Sequence, residues 1–116
     1  MNSAVESVTI PASVREIGKE AFCRCWELQQ VEFAEGSSLK TLGTGCFTYC
    51  AFEEIALPRS VEAIGDYAFC GCTELKNVVF QPGCRLRRLG ECCFRKTDVD
   101  ESSVLKVLET GKGERC

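Results

Sequence analysis

The chain has 116 residues, of which 45% are hydrophobic, 27% charged and 9% aromatic; this composition suits one globular unit and leaves no room for two domains of ordinary size. Fourteen basic against seventeen acidic side chains give a net charge of −3, too small for bulk electrostatics to call for a nucleic acid or a membrane surface. There is no histidine, which excludes histidine general bases, Ser-His-Asp and Cys-His nucleophile pairs and the commonest metal ligand.

Met1 to Pro11 carries neither the basic stretch nor the apolar core of a secretory signal, and nowhere do eighteen apolar residues run together. The stretch reads equally as the start of a short protein or as a piece of a longer one. The first periodic pattern is Val5, Val8, Ile10, whose last two members alternate with Thr9 in the manner of a half-buried strand. A short turn at Pro11-Ala12-Ser13 follows, then Val14 and Ile17, then Gly18, then Ala21-Phe22, and Cys25 three residues on.

Everything in that order then recurs. Ile17-Gly18, Leu42-Gly43, Ile64-Gly65 and Leu89-Gly90 are spaced 25, 22 and 25 residues apart, and Phe22, Phe47, Phe69 and Phe94 keep the same spacing. The strand triplet returns as Leu28, Val31, Phe33, as Phe52, Ile55, Leu57 and as Leu75, Val78, Phe80, each with gaps of three and two. Leu39 with Leu42, Val61 with Ile64 and Leu86 with Leu89 repeat the second apolar pair. Cys46, Ala68 and Cys93 repeat the small residue; Cys50, Cys72 and Thr97 repeat the closing position. Turn lengths alternate: Pro58-Arg59-Ser60 is short, whereas Ala34 to Ser38 and Gln81 to Arg85 are longer and contain Gly36 and Pro82-Gly83, residues that accept positive φ or preset a bend. The glycine after each Ile or Leu is expected to serve the same conformational purpose.

One copy cannot bury its own apolar side, but stacked copies set each apolar residue on its equivalent at about 4.8 Å, so the period predicts a solenoid. Four copies, at about 5–25, 26–50, 51–72 and 73–97, would form a parallel sheet of short strands about 20 Å long. The expected organisation is therefore a mainly β solenoid of four turns over 1–97 and a polar tail over 98–116.

The unit L-x-x-V-x-I-P-x-S-V-x-x-I-G-x-x-A-F-x-G-C resembles the BspA-like leucine-rich repeat family, and Val61 to Cys72, VEAIGDYAFCGC, fits its second half almost residue for residue. The resemblance implies a curved right-handed leucine-rich repeat solenoid presenting a strand-lined face to protein partners, in a family often found on microbial cell surfaces. Departures are Val5 and Phe52 for the opening leucine, Arg24, Tyr49 and Lys96 for the glycine, and Thr97 for the last cysteine, which marks the fourth turn as a closing one. Localisation stays open: the resemblance leans outward, whereas the missing signal and abundant thiols lean inward.

In the tail, Val104, Leu105, Val107 and Leu108 fall at helical spacing, with Asp100 or Ser102 as N-cap and Gly111 as a stop. This segment reads as a capping helix or as the remnant of a fifth repeat. At the other end, the uncapped edge Ser7 to Ile10 predicts either truncation of a longer array or self-association.

Ten cysteines would suggest a disulfide framework in a short secreted chain. The repeat offers another account, because Cys25, Cys50, Cys72, Cys46 and Cys93 occupy two recurring core positions as small buried residues. Parallel side chains one turn apart do not converge to disulfide geometry, so a ladder of free thiols is expected. Cys23, Cys70, Cys84, Cys92 and Cys116 fall outside that scheme, and some disulfides or a metal are the alternatives.

No cofactor motif survives inspection. Gly43-Thr44-Gly45 leads into Phe47 and Thr48 instead of further glycines, and Gly111-Lys112-Gly113 lacks the rest of a phosphate loop. Glu32 and Glu54 share the sheet face as a conceivable acid/base pair, though an open solenoid offers little concavity for catalysis. The outward strand positions Ser7, Thr9, Gln30, Glu32, Glu54, Ala56, Asn77 and Val79 form the partner-binding candidate, because inward positions are committed to packing. Arg85, Arg87, Arg88, Arg95 and Lys96 make a second, basic cluster, and Trp26 is expected to shield the core edge. The expected function is non-enzymatic protein–protein interaction, without cofactor, metal, nucleic acid or membrane insertion; the alternative is an architectural spacer with no ligand of its own.

Overall fold

Among the described residues, eight short parallel strands fall two to a coil. β1 (Ser7–Ile10) and β2 (Glu16–Ile17) lie in turn 1, β3 (Gln30–Phe33) and β4 (Thr41–Leu42) in turn 2, β5 (Glu54–Leu57) and β6 (Ala63–Ile64) in turn 3, and β7 (Asn77–Phe80) and β8 (Arg88–Leu89) in turn 4. This computed structural model describes residues 6–100 and Val104. Strands pair with their equivalents in neighbouring turns, Val8 with Val31, Ile17 with Leu42, Leu42 with Ile64, Ile55 with Val78 and Ile64 with Leu89. The chain is therefore a parallel β solenoid of four turns, as the repeat demands.

The core lies between the two strand-bearing flanks and a leg of tight turns. Its spine is the phenylalanine column: Phe22 on Phe47 at 5.3 Å, Phe47 on Phe69 at 5.7 Å and Phe69 on Phe94 at 5.5 Å, all within 7° of parallel. Phe52 meets Phe47 and Phe69 edge-on, each at 80°, an arrangement that the ring quadrupole favours. Leu28, Leu39, Leu42, Ile55, Leu57, Val61, Ile64, Leu75 and Leu86 fill the remaining space and are buried. At fully buried positions each such side chain contributes roughly 1.5–3 kcal/mol of hydrophobic stabilisation.

The closing thiols have a polar task as well as a packing one. Cys50 donates through Sγ to the Phe22 carbonyl at 3.3 Å, and Cys72 to the Phe47 carbonyl at 2.9 Å, so each thiol satisfies a buried acceptor of the preceding turn. Cys93 donates to Gly65 O at 3.1 Å in the same way. Cys23, Cys25, Cys46, Cys50, Cys70, Cys72, Cys84 and Cys93 are free thiols, whereas Cys92 is disulfide-bonded.

One expectation fails informatively. Gly18, Gly43, Gly65 and Gly90 do not have positive φ; the left-handed residues are Gly36, Gly45, Gly71 and Gly83, with Glu20, Arg24, Tyr49, Tyr67, Cys92 and Lys96. The repeated glycine is instead required by close approach of backbones. A Cβ at Gly43 would stand 2.7 Å from Ile17 O, at Gly65 2.8 Å from Gly43 C, and at Gly90 2.5 Å from Asp66 N.

The strand face departs from one continuous sheet. β2, β4, β6 and β8 form an unbroken four-stranded ladder, but the other flank splits into β1–β3 and β5–β7. Two local features coincide with the split. Leu28 N–H donates to Cys25 O at 3.0 Å and Leu75 N–H to Cys72 O at 3.0 Å, closing a turn before β3 and β7. The step Cys50-Ala51-Phe52 is one residue shorter, and Ala51 N–H reaches across to Leu28 O instead. At the far end, Ala34 N–H donates to Ile10 O, but the equivalent residue in turn 3 is Pro58, which has no N–H to give Phe33.

Of the tail helix expected from Val104 to Leu108, only Val104 lies within the described residues; it is helical and buried in the core. Val99 packs against the same core.

Candidate functional site

Alternation along each strand turns Ser7, Thr9, Gln30, Glu32, Glu54, Ala56, Asn77 and Val79 outward, and all eight are exposed. Register sets Ser7 beside Gln30, Thr9 beside Glu32, Glu54 beside Asn77 and Ala56 beside Val79. The break between β3 and β5 gathers five of the eight, because the two half-sheets leave a groove between them.

That groove has two continuous parts that share Val31, Glu32 and Ala56. The larger, about 820 Å³, is bordered by Ser7, Gln30, Glu32, Glu54 and Ala56, and also by Glu6, Glu53 and Glu74. Its lining thus holds five carboxylates and no basic side chain. The smaller, about 670 Å³, runs between the long turn Ala34 to Ser37 and the short turn Pro58 to Ser60, with Arg59 at its rim. Thr9, Asn77 and Val79 stay outside both parts.

Sequence reasoning missed Glu6, Glu53 and Glu74, which precede the strands, where alternation assigns no face. The signal that could have found the groove is the cysteine-to-strand step, three residues at Cys25–Leu28 and Cys72–Leu75 but two at Cys50–Phe52.

Elsewhere the thiols differ in direction: the hydrogen bond with Cys50 lowers Cys72, whereas burial raises others. Burial pushes the Cys46 thiol up to about 12, and it also raises Cys25 and Cys84 above the ordinary 9.0. Cys50 is raised by its hydrogen bond with Cys72 and then by burial. No group of three or more Cys, Asp or Glu is poised to hold a metal among the described residues. Among them no helix is long and apolar enough to cross a membrane. Trp26 does not shield the core edge as expected: half of it is exposed and it leans on Tyr49 with ring centroids 5.5 Å apart.

The family described as BspA type leucine rich repeat region (6 copies) matches residues 1–111. The chain belongs to this leucine-rich repeat family. Among solved structures it is similar to the pneumococcal vaccine antigen PcpA, at 28% identity and a TM-score of 0.70, over 83% of this chain and 31% of that one. A leucine-rich repeat protein from Bacteroides ovatus shares the fold at 23% identity and a TM-score of 0.64, over 93% of this chain and 30% of its own. The BspA-type chain thus spans about a third of either neighbour. No curated protein sequence matches it.

Proposed function

We propose that this BspA-type module is a non-enzymatic recognition element whose strand face takes a basic, extended segment of a protein partner in the groove between turns 2 and 3. The observation that supports this is the lining of the larger part of the groove: Glu6, Glu32, Glu53, Glu54 and Glu74 with no basic side chain among them, Arg59 lying in the smaller part. A strip of like charge in a cleft concentrates its field and favours the opposite sign through both association rate and specificity. Gln29 and Gln30 add amide donors and acceptors for a peptide backbone.

The test is titration of the full chain with an extended lysine- and arginine-rich peptide at two salt concentrations. Binding should weaken as salt rises, and Glu32→Lys with Glu54→Lys should reduce it at least about tenfold, a loss of about 1.4 kcal/mol. Gln30→Ala and Asn77→Ala separate the groove from the rest of the face, because only Gln30 lines it. An architectural spacer, the competing role, predicts no binding to begin with.

A further inference from the structure

Turn 4 carries a short row of cations that its own chain leaves unanswered. Leu86 is buried, Arg85 and Arg87 point outward on either side of it, and Arg88 is exposed at the start of β8. The other turns have no such row. Ser13, Ser38 and Ser60 stand in the place of Arg85, and Glu16, Thr41 and Ala63 in that of Arg88. Arg87 follows Glu62 in its column, but that carboxylate is engaged on the far side, with Oε2 at 3.2 Å from Lys40 Nζ. Asp66, in the same turn as Glu62, accepts the Glu91 N–H through Oδ1 at 2.9 Å. Among the described residues Arg85, Arg87 and Arg88 make no ion pair. β8 is also the outer strand of its ladder, with β6 on one side and, among the described residues, no strand on the other. The row therefore stands on an edge, where it can enter a concavity.

The opposite charge is concentrated elsewhere. Glu6, Glu32, Glu53, Glu54 and Glu74 line the larger part of the groove between β3 and β5, with no basic side chain among them. Near-neutrality of the whole chain, fourteen basic against seventeen acidic side chains, thus conceals an acidic and a basic pole. The two poles cannot meet within one molecule. The row belongs to the β8 ladder and the groove to the other flank, and a single core spanning all four turns holds both in place.

We infer that the basic segment taken by the groove is Arg85–Arg88 of a second copy of this chain, an inference that rests on the reading of the groove given above. The row supplies what the groove lacks: guanidinium groups, which pair with carboxylates through two parallel hydrogen bonds, on a short extended segment at an edge. Opposed poles also steer two copies into one relative orientation, because row against row and groove against groove repel. The contact is heterologous, since the surface that gives differs from the surface that receives. Each pair of molecules leaves one row and one groove unfilled, so assembly continues head to tail instead of stopping at a two-fold dimer.

The test is sedimentation of the full chain over a range of concentrations. At low salt the weight-average mass should climb to at least about twice the monomer's, and near 1 M salt it should return to the monomer's. Glu32→Lys with Glu54→Lys removes the receiving surface, and Arg87→Glu with Arg88→Glu removes the giving one; all four positions are exposed. Each variant alone should remain monomeric, yet equal amounts of the two should associate, because the first keeps its row and the second keeps its groove. Arg87→Gln with Arg88→Gln should lose association as well, without setting a new negative charge beside Glu62. The lysine- and arginine-rich peptide should break up the parent's assemblies by occupying the groove. Association that survives either reversal, or a mixture of the two variants that stays monomeric, overturns the inference. A parent that is monomeric at low salt but binds the peptide overturns it and leaves the preference of the groove for basic segments standing; a monomeric parent that binds no peptide overturns both.

Discussion

The two strand-bearing flanks of this solenoid share the same turns and yet differ in continuity. β2, β4, β6 and β8 run as one ladder, whereas β3 and β5 lie side by side without forming one. On the continuous flank the glycine column brings backbones to a separation that no side chain would fit, so the rise per turn has no slack. On the other flank backbone ladders join β1 to β3 and β5 to β7 but not β3 to β5, and the lost residue at Cys50-Ala51-Phe52 and the missing N–H of Pro58 coincide with that parting. One flank fixes the stack; the other is free to vary, and the groove lies there.

The largest expected effect tests what both flanks hang on. Phe69 stacks on Phe47 and Phe94 and is fully buried. Phe69→Ala should cost about 3–5 kcal/mol in denaturant unfolding, since the ring's transfer free energy is lost and a cavity is left. A loss below about 1 kcal/mol would mean that the ladders, not the ring column, hold turns 3 and 4 together.

Alkaline pH should weaken the same seam and reveal which flank yields first. The folded Cys46 thiol titrates near 12 against 9.0 for the ordinary thiol, because burial disfavours the thiolate. Below pH 9 it is protonated in both states; between 9 and 12 the unfolded chain releases its proton and the folded chain keeps it, so stability falls as pH rises. The slope is on the order of 1 kcal/mol per pH unit from this thiol, about 2 kcal/mol by pH 11. Cys46→Ala installs the residue that turns 1 and 3 carry as Ala21 and Ala68, and should flatten the decline. An unchanged alkaline unfolding profile would exonerate Cys46. Amide exchange at Val31 and Ile55 should accelerate before that at Leu42 and Ile64, and the reverse order would contradict the contrast between flanks.

Much of this was legible because burial restricts residue type: Phe22, Phe47, Phe69 and Phe94, the strand triplets and the small residues before each ring all declared the period. The glycines were misread because two requirements, positive φ and close approach, select the same residue, and the sequence does not say which applies. Half of the left-handed residues are Glu, Arg, Tyr or Lys, which carry no such signature. The groove was hidden because markers at Gly and Phe skip the connecting segment where the residue is lost. Eight outward positions follow from alternation alone, but Glu6, Glu53 and Glu74 join them only through the parting of β3 and β5.

That parting can be reversed. Inserting one residue between Ala51 and Phe52 restores the three-residue step, and Pro58→Ala restores an N–H opposite Phe33. The combined variant should join β3 to β5 and gain about 1–2 kcal/mol from two or so net hydrogen bonds. It should also slow exchange at Val31 and Ile55 and lose the proposed binding of basic peptide. A variant that gains the protection yet binds as before would separate the groove from recognition.

The smallest effect concerns the continuous flank. Lys40 Nζ lies 3.2 Å from Glu62 Oε2, with the two side chains 56% and 37% exposed. Backbone bonds already join this row, Lys40 N–H to Arg15 O and Glu62 N–H to Lys40 O, each at 2.8 Å. The ion pair therefore adds to a contact that is made without it, and Glu62→Gln should cost about 0.2–1 kcal/mol at low salt and nothing measurable near 1 M. Glu62→Lys is the sharper variant, because Arg15, Lys40 and Arg87 occupy the equivalent places and a fourth cation would complete a column of like charge. If even that change leaves stability at low salt untouched, backbone approach at the glycines alone sets the cohesion of this flank, and surface charge is free to serve recognition.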